Sequence, residues 1–223
     1  EEYYTKSCDI YDMKGCFNLG RFYLDVTIMK NPDYKKASFF WKKACDGGEM
    51  LGCSNLGSLY LNGDGIAKDL EKAFKLFDKA CNGQNMAGCH GLGAIYFYGS
   101  GVARNYKKAG SLFKKACENG YFYACETLGG MYYNGEGISV DYKKAHYFYA
   151  LACNNKIFSS CNSVGFMYYN ALGVEKDCNK AAEFYEKSCD NGVVASCSNL
   201  AFLKLKGECV PKDSRKAVSL YKK

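Results

Sequence analysis

The 223-residue chain has two prolines, two histidines, one tryptophan and no C-x-x-C. So little proline disfavours a proline-rich or collagen-like chain. With only His90 and His146 and no C-x-x-C, zinc ribbons and thioredoxin-like centres lack their ligands. No stretch approaches the 18 apolar residues of a transmembrane helix, so a soluble protein is expected. No concentrated basic patch stands out either. The net charge of +7 comes from 30 basic and 23 acidic residues interspersed along the chain, which argues against a nucleic-acid partner.

What is abundant is cysteine and aromatic side chains. Hydrophobic residues make up 48% of the sequence and aromatics 16%, mostly 20 Tyr and 14 Phe, which excludes disorder and supplies a large interior. Twelve of the fourteen cysteines fall as C-x7-C pairs: Cys8/Cys16, Cys45/Cys53, Cys81/Cys89, Cys117/Cys125, Cys153/Cys161 and Cys189/Cys197. Only Cys178 and Cys209 stand outside that pattern.

The pairs recur after 37 residues once and after 36 residues four times, a period typical of solenoids. Before each first cysteine runs one face of a helix, as in Ala73, Leu76, Phe77, Ala80 and Cys81. After each second cysteine a second face follows, as in Cys53, Leu56, Gly57, Tyr60 and Leu61. Each period is therefore two helices. Asp33, Asp69, Asn105, Asp141, Asp177 and Asp213 stand where N-caps of the first helices belong. Gly63, Gly99 and Gly135 follow the second helices and suit their C-terminal turns. Gly57, Gly93 and Gly129 lie inside helices, where glycine costs about 1 kcal/mol relative to alanine, so close approach of a neighbouring helix is expected there.

This arrangement gives C-x7-C a geometric meaning. The first cysteine lies on the last turn of one helix and the second near the start of its antiparallel partner, so the two side chains oppose each other. Six disulfides are expected, each contributing roughly 2.5 kcal/mol in the chain-entropy model. The competing reading, unbridged cysteines as small core residues, fits six repeats of one spacing less well. Cys178 begins a first helix and Cys209 follows the second helix of the same period, which predicts a seventh bridge between them. Bridges at this density imply an oxidising compartment, secreted or periplasmic, with any leader absent from the chain that begins at Glu1.

The elements L-G-x-x-Y and A-x-x-x-[FY]-x-x-A, carried by Leu56/Gly57/Tyr60 and Ala73/Phe77/Ala80, resemble the tetratricopeptide repeat. The 36-residue period and the turn Gly63-Asp64-Gly65-Ile66 more closely resemble its Sel-one-like variant. With C-x7-C in every unit, the chain resembles the Helicobacter cysteine-rich protein family of secreted, disulfide-stapled repeats. The resemblance covers essentially all residues and weakens in the last period, where Ala201 and Lys204 replace the glycine and tyrosine. It implies an all-α, right-handed α/α superhelical solenoid of about six helix-turn-helix repeats over residues 1–223, with partial units at both ends.

Two function classes follow. In the first, the chain is a monomeric scaffold that holds a protein or peptide, including a host protein, in the concave groove lined by the L-G-x-x-Y helices. By similarity to tetratricopeptide proteins, the outward positions are Ser54, Ser58 and Asn62, His90 and Tyr98, Glu126 and Asn134, and Asn162, Phe166 and Asn170. Asn62, Asn134 and Asn170 also precede helix-ending turns, so a capping role competes with groove binding there. In the second class, members of the family are linked to weak β-lactamase or penicillin-binding activity. S-x-x-K occurs at Ser111/Lys114 and Ser219/Lys222, but S-D-N and K-T-G are missing, and chance supplies such spacings in a chain with fifteen serines and this much lysine. No catalytic residue, metal or cofactor is expected. The Lys-Lys pairs at 35/36, 107/108 and 143/144 open first helices, where a solvated face or an acidic partner would account for them.

Overall fold

A computed structural model of the chain describes residues 2–9, 12–25, 27, 29, 31–207 and 210–222. The described residues form thirteen α-helices and no strand. They divide into two compact units, residues 1–120 and 121–223.

The first unit contains α1 (Glu2–Asp9), α2 (Met13–Phe22), α3 (Tyr34–Asp46), α4 (Met50–Asn62), α5 (Leu70–Asn82), α6 (Met86–Tyr98) and α7 (Tyr106–Glu118). Each helix packs on the one before it, and α4 also touches α6, so second helices meet across a repeat. The second unit contains α8 (Phe122–Asn134), α9 (Tyr142–Asn154), α10 (Phe158–Asn170), α11 (Cys178–Asp190), α12 (Val194–Lys206) and α13 (Ser214–Leu220), again packed sequentially.

The repeat is set by its caps. All six expected N-cap side chains accept from the backbone N–H three residues on, at 2.9 to 3.0 Å: Asp33 from Lys36, Asp69 from Lys72, Asn105 from Lys108, Asp141 from Lys144, Asp177 from Lys180 and Asp213 from Lys216. Those backbone bonds lead the causes that hold the carboxyls of Asp69, Asp141 and Asp177 below the usual carboxylate range. The lysine at the donor position does a second job. Its ammonium stands over the tyrosine of the preceding L-G-x-x-Y helix, 5.2 Å for Lys72 over Tyr60, 5.0 Å for Lys108 over Tyr96 and 5.3 Å for Lys180 over Tyr168. The second lysine of each Lys-Lys pair is therefore a repeat-to-repeat contact, and not only part of a solvated face.

Five of the predicted bridges close within the units: Cys8–Cys16, Cys45–Cys53, Cys81–Cys89, Cys153–Cys161 and Cys189–Cys197, with Cα separations of 4.4 to 4.7 Å. Cys117, Cys125 and Cys178 are also disulfide-bonded, and no described cysteine is free. Cys209, the expected partner of Cys178, lies outside the described residues. The sulfurs are buried at the hairpin ends with the small residues that let the helices meet, such as Ala44 and Ala80. Disulfides of this kind form in an oxidising compartment.

Candidate functional site

At five interior glycines, the aromatic residue four places after the first-helix alanine lies on the backbone of the preceding second helix. A Cβ on Gly20 would fall 2.5 Å from the Trp41 ring, and one on Gly93 would fall 2.7 Å from Phe113. The same holds for Gly129 with Tyr149, at 2.7 Å, and Gly165 with Tyr185, at 2.9 Å. The missing side chain lets the ring sink between two second helices. Its outer edge then becomes the floor of a slot between them.

Two such slots are open in the second unit. One, about 120 Å³, is lined by Tyr133 of α8, Tyr149 of α9 and Asn162, Ser163, Phe166 and Met167 of α10. The next, about 170 Å³, is lined by Phe166, Tyr169 and Asn170 of α10, Tyr185 of α11 and Asn199, Phe202 and Leu203 of α12. They are the same feature one 36-residue period apart, because Tyr133, Tyr149, Ser163, Phe166 and Met167 correspond to Tyr169, Tyr185, Asn199, Phe202 and Leu203. No charged side chain lines either slot. Burial, with the nearby Glu126 charge adding to it, pushes the Tyr149 hydroxyl up to about 12, and burial also raises that of Tyr185. Both remain hydrogen-bond donors at any physiological pH.

The first unit carries the equivalent slot over Trp41. It has a volume of about 450 Å³ and is lined by Tyr4, Asn18, Arg21, Phe22, Leu24, Asp25, Trp41 and Asn55. In repeat register Arg21 stands where Phe166 does and Asp25 where Asn170 does. The slot chemistry thus changes along the chain while its construction is kept. The Trp41 indole N–H is already committed, donating to the Phe17 carbonyl at 3.2 Å.

The sequence-selected positions divide accordingly. Phe166 and Asn170 line the second slot and Phe166 and Asn162 the first, so these three are brought together. Ser54 is a correction: it is only 3% exposed, and its hydroxyl donates to the Leu51 carbonyl of its own helix, because the helix turns that position toward its neighbours. The Ser58 hydroxyl is likewise turned back, donating to the Ser54 carbonyl. Asn170 donates to the Phe166 carbonyl of its own helix at 2.9 Å, and Asn62 donates to the Asp64 carboxylate at 3.0 Å and so serves the turn that follows its helix. Glu126 accepts from the Ser159 and Ser160 hydroxyls, at 2.5 and 3.1 Å, and thereby ties α8 to α10. Asn162 does the same between α10 and α12, its Oδ1 accepting from Ser196 and Asn199, each at 2.9 Å. His90 is largely buried, 5.2 Å from Phe113, and burial holds its pKa below the ordinary value. Asn134 and Tyr98 are exposed, Tyr98 at 73%.

Tyr133, Tyr169, Asn199 and Phe202 were missed. Phe202 occupies the same register as Phe166, Gly130, Ala94 and Ser58, so continuing that register into the last period would have found it. The other three lie one helical step to the side, and only the sunken ring below them makes them part of a concavity. The exposed Ser111 hydroxyl donates to the Lys108 carbonyl, Lys114 pairs with Glu118 at 3.7 Å, and the Ser219 hydroxyl donates to the Lys216 carbonyl.

The repeat model described as the Sel1 repeat matches residues 14–49, 51–85, 87–121, 123–156, 159–193 and 194–223. The chain belongs to the Sel1 repeat family. Sel1 repeats typically mediate protein–protein interactions. Among solved Sel1-type structures, c5321, a protective antigen of uropathogenic Escherichia coli strains with an SLR fold, aligns over 99% of this chain at 26% identity with a TM-score of 0.82. This chain spans only 47% of that protein. A Sel1 repeat protein from Oxalobacter formigenes shares the fold at 23% identity and a TM-score of 0.81, covering 94% of this chain and 84% of its own. Helicobacter pylori cysteine rich protein B matches at 35% identity over 57% of this chain and 90% of its own, with a TM-score of 0.46. No curated protein sequence matches this chain.

Proposed function

We propose that this Sel1 chain is a secreted or periplasmic scaffold that binds a protein or peptide, bacterial or from a host, along the faces of its second helices. The observation that carries this reading is the recurrence of one slot, floored by a first-helix ring and walled by second-helix side chains, over Trp41, Tyr149 and Tyr185. The staples support the same reading, since fixing each hairpin lowers the entropy lost when a surface is ordered on binding. The outward residues of the first helices are largely lysine and glutamate, which suit solvent better than a partner's apolar groups.

The test is site-specific photo-crosslinking of the oxidised protein. A benzophenone amino acid at Phe166 or Asn170 is expected to capture a partner from periplasmic or host extracts, whereas the same group at Glu186 on a first helix is not. The captured partner, purified, should bind wild type and lose about tenfold in affinity for Phe166→Ala. Equal capture from Glu186, or unchanged affinity in the variant, would refute this placement.

A further inference from the structure

The slot over Trp41 differs from the other two in a respect that its construction does not require. It is lined by a cation and an anion, Arg21 and Asp25, together with the apolar side chains of Phe22, Leu24 and Trp41. In later repeats the register of Arg21 holds Ser58, Ala94, Gly130, Phe166 and Phe202, and that of Asp25 holds Asn62, Tyr98, Asn134, Asn170 and Lys206. The paired charges therefore occur in the first slot alone. We propose that this slot is a site for a free, zwitterionic α-amino acid with a large apolar side chain. The inference goes beyond the scaffold reading and stands independently of the slots at Phe166.

Charge complementarity selects the head group. The Arg21 guanidinium stands 6.0 Å from the Phe17 ring and makes no ion pair or hydrogen bond among the described residues. Its fork of N–H groups is thus open to a carboxylate, which it can hold through two parallel bonds. Asp25 is fixed by Thr27, whose backbone N–H and hydroxyl donate to its Oδ1 at 2.9 and 2.5 Å. A carboxylate accepts about four hydrogen bonds, so Asp25 can take an ammonium group in addition. The Asn18 and Asn55 carboxamides, from α2 and α4, line the same space and offer further donors and acceptors to the head group. Ligands of one sign fit less well. A phosphate or dicarboxylate meets Asp25, a polyamine meets Arg21, and the end residue of a peptide carries only one of the two charges.

Size and lining select the side chain. At about 450 Å³ the slot falls in the range of small-molecule pockets, and it is about three times the roughly 150 Å³ cavity that takes benzene. That leaves room for a ring and for an α-carbon with both its charged groups. Trp41 is 5% exposed, so only the edge of its indole reaches the slot, and its N–H is committed to the Phe17 carbonyl, which leaves an apolar floor. With Phe22 and Leu24 beside that floor, an apolar side chain gains by leaving water, whereas glycine or alanine would be held through the head group alone.

Trp41 is the only tryptophan in the chain, so its emission reads this slot directly. L-Phenylalanine added to the oxidised full chain is expected to change that emission saturably. It should bind at least about tenfold more tightly than L-alanine, N-acetyl-L-phenylalanine, L-phenylalaninamide or the dipeptide glycyl-phenylalanine. Isothermal titration calorimetry repeats the series without relying on emission. Arg21→Gln should remove the preference for phenylalanine over its amide while keeping that over the N-acetyl form, and Asp25→Asn should do the reverse. A merely structural role for either residue would weaken all ligands together. Arg21 is exposed, and an amide at position 25 still accepts from Thr27, so both variants should keep the wild-type circular dichroism. No saturable response by either method at up to about 10 mM phenylalanine, equal binding of the analogues that lack one charge, or a uniform loss in both variants overturns the inference. Binding of glycyl-phenylalanine as tight as that of phenylalanine overturns it as well and gives the slot to a peptide end. All of these outcomes leave partner capture at Phe166 to be decided by the crosslinking experiment.

Discussion

The ring of Phe113 occupies the space that a side chain on Gly93 would need, with its Cε1 2.7 Å from the position of the absent Cβ. An alanine in a helix interior is favoured over glycine by about 1 kcal/mol, yet here that gain is opposed by overpacking of about 1–3 kcal/mol. Gly57 is less crowded, since the nearest Phe77 ring atom lies 3.1 Å from where a Cβ would stand. Gly93→Ala should therefore lower stability by up to about 2 kcal/mol, while Gly57→Ala should be close to neutral or stabilising. Urea titrations of both variants check the order, and equal effects would show that the ring moves freely.

In the last repeat Ala201 replaces the glycine. The repeat features were legible in the sequence because they rest on local chemistry that recurs along the chain: the six caps from Asp33 to Asp213, the six C-x7-C hairpins and the five interior glycines from Gly20 to Gly165. The slots were not legible. Whether Ser54 or Asn55 faces a neighbour depends on helix rotation by one residue, and Ser54 turned inward while Asn55 reached the slot over Trp41. Nor did the pattern of lysines at 36, 72, 108, 144 and 180 announce ammonium groups resting on tyrosine rings, since those rings lie in the preceding helix.

Ala171 ends α10 in the left-handed conformation, with φ of 56°, where α4, α6, α8 and α12 end on Gly63, Gly99, Gly135 and Gly207. An L-residue there carries about 1–2 kcal/mol of strain, partly offset because glycine gains freedom in the unfolded chain. Ala171→Gly is expected to stabilise the protein by about 0.5–1 kcal/mol. A rise of a few degrees in the thermal midpoint would confirm it, and a fall would mean that the alanine methyl makes a contact worth more than the strain.

His146 carries a buried Nε2 without a hydrogen-bond partner among the described residues, and its ring meets Tyr168 edge-on at 5.2 Å. Two repeats earlier the same register holds Phe74, edge-on to Tyr96 at 5.9 Å. Burial holds the His146 pKa below its ordinary value near 6.5, so the neutral ring is the form that the fold accepts. Its contribution is present above the unfolded value, declines as pH falls from there toward the folded value, and is gone below it. His146→Phe should raise stability at pH 7 by about 1 kcal/mol through removal of the orphan nitrogen. It should also flatten the loss of stability on acidification below about pH 6.5, leaving the part due to His90, whose pKa burial lowers as well. Chemical denaturation at several pH values reads both effects, and a pH profile parallel to wild type would contradict this assignment.

Each staple closes a loop of about nine residues, for which restriction of the unfolded chain is worth about 2.5 kcal/mol. Cys81 and Cys89 join α5 to α6 and are 3% and 0% exposed, so a double change to alanine also costs some packing. Cys81→Ala with Cys89→Ala should lower stability by at least about 2.5 kcal/mol in urea, without abolishing the helical signal, because neighbouring repeats still cover the hairpin. Full reduction of the wild type removes every staple at once, and repeats stabilised chiefly by neighbours then lose cooperativity. Its thermal transition should become broad and fall far below that of the double variant. A reduced protein that still unfolded sharply, within a few degrees of the oxidised form, would show that inter-repeat packing through the glycine-seated rings is sufficient and that the cysteines serve another end.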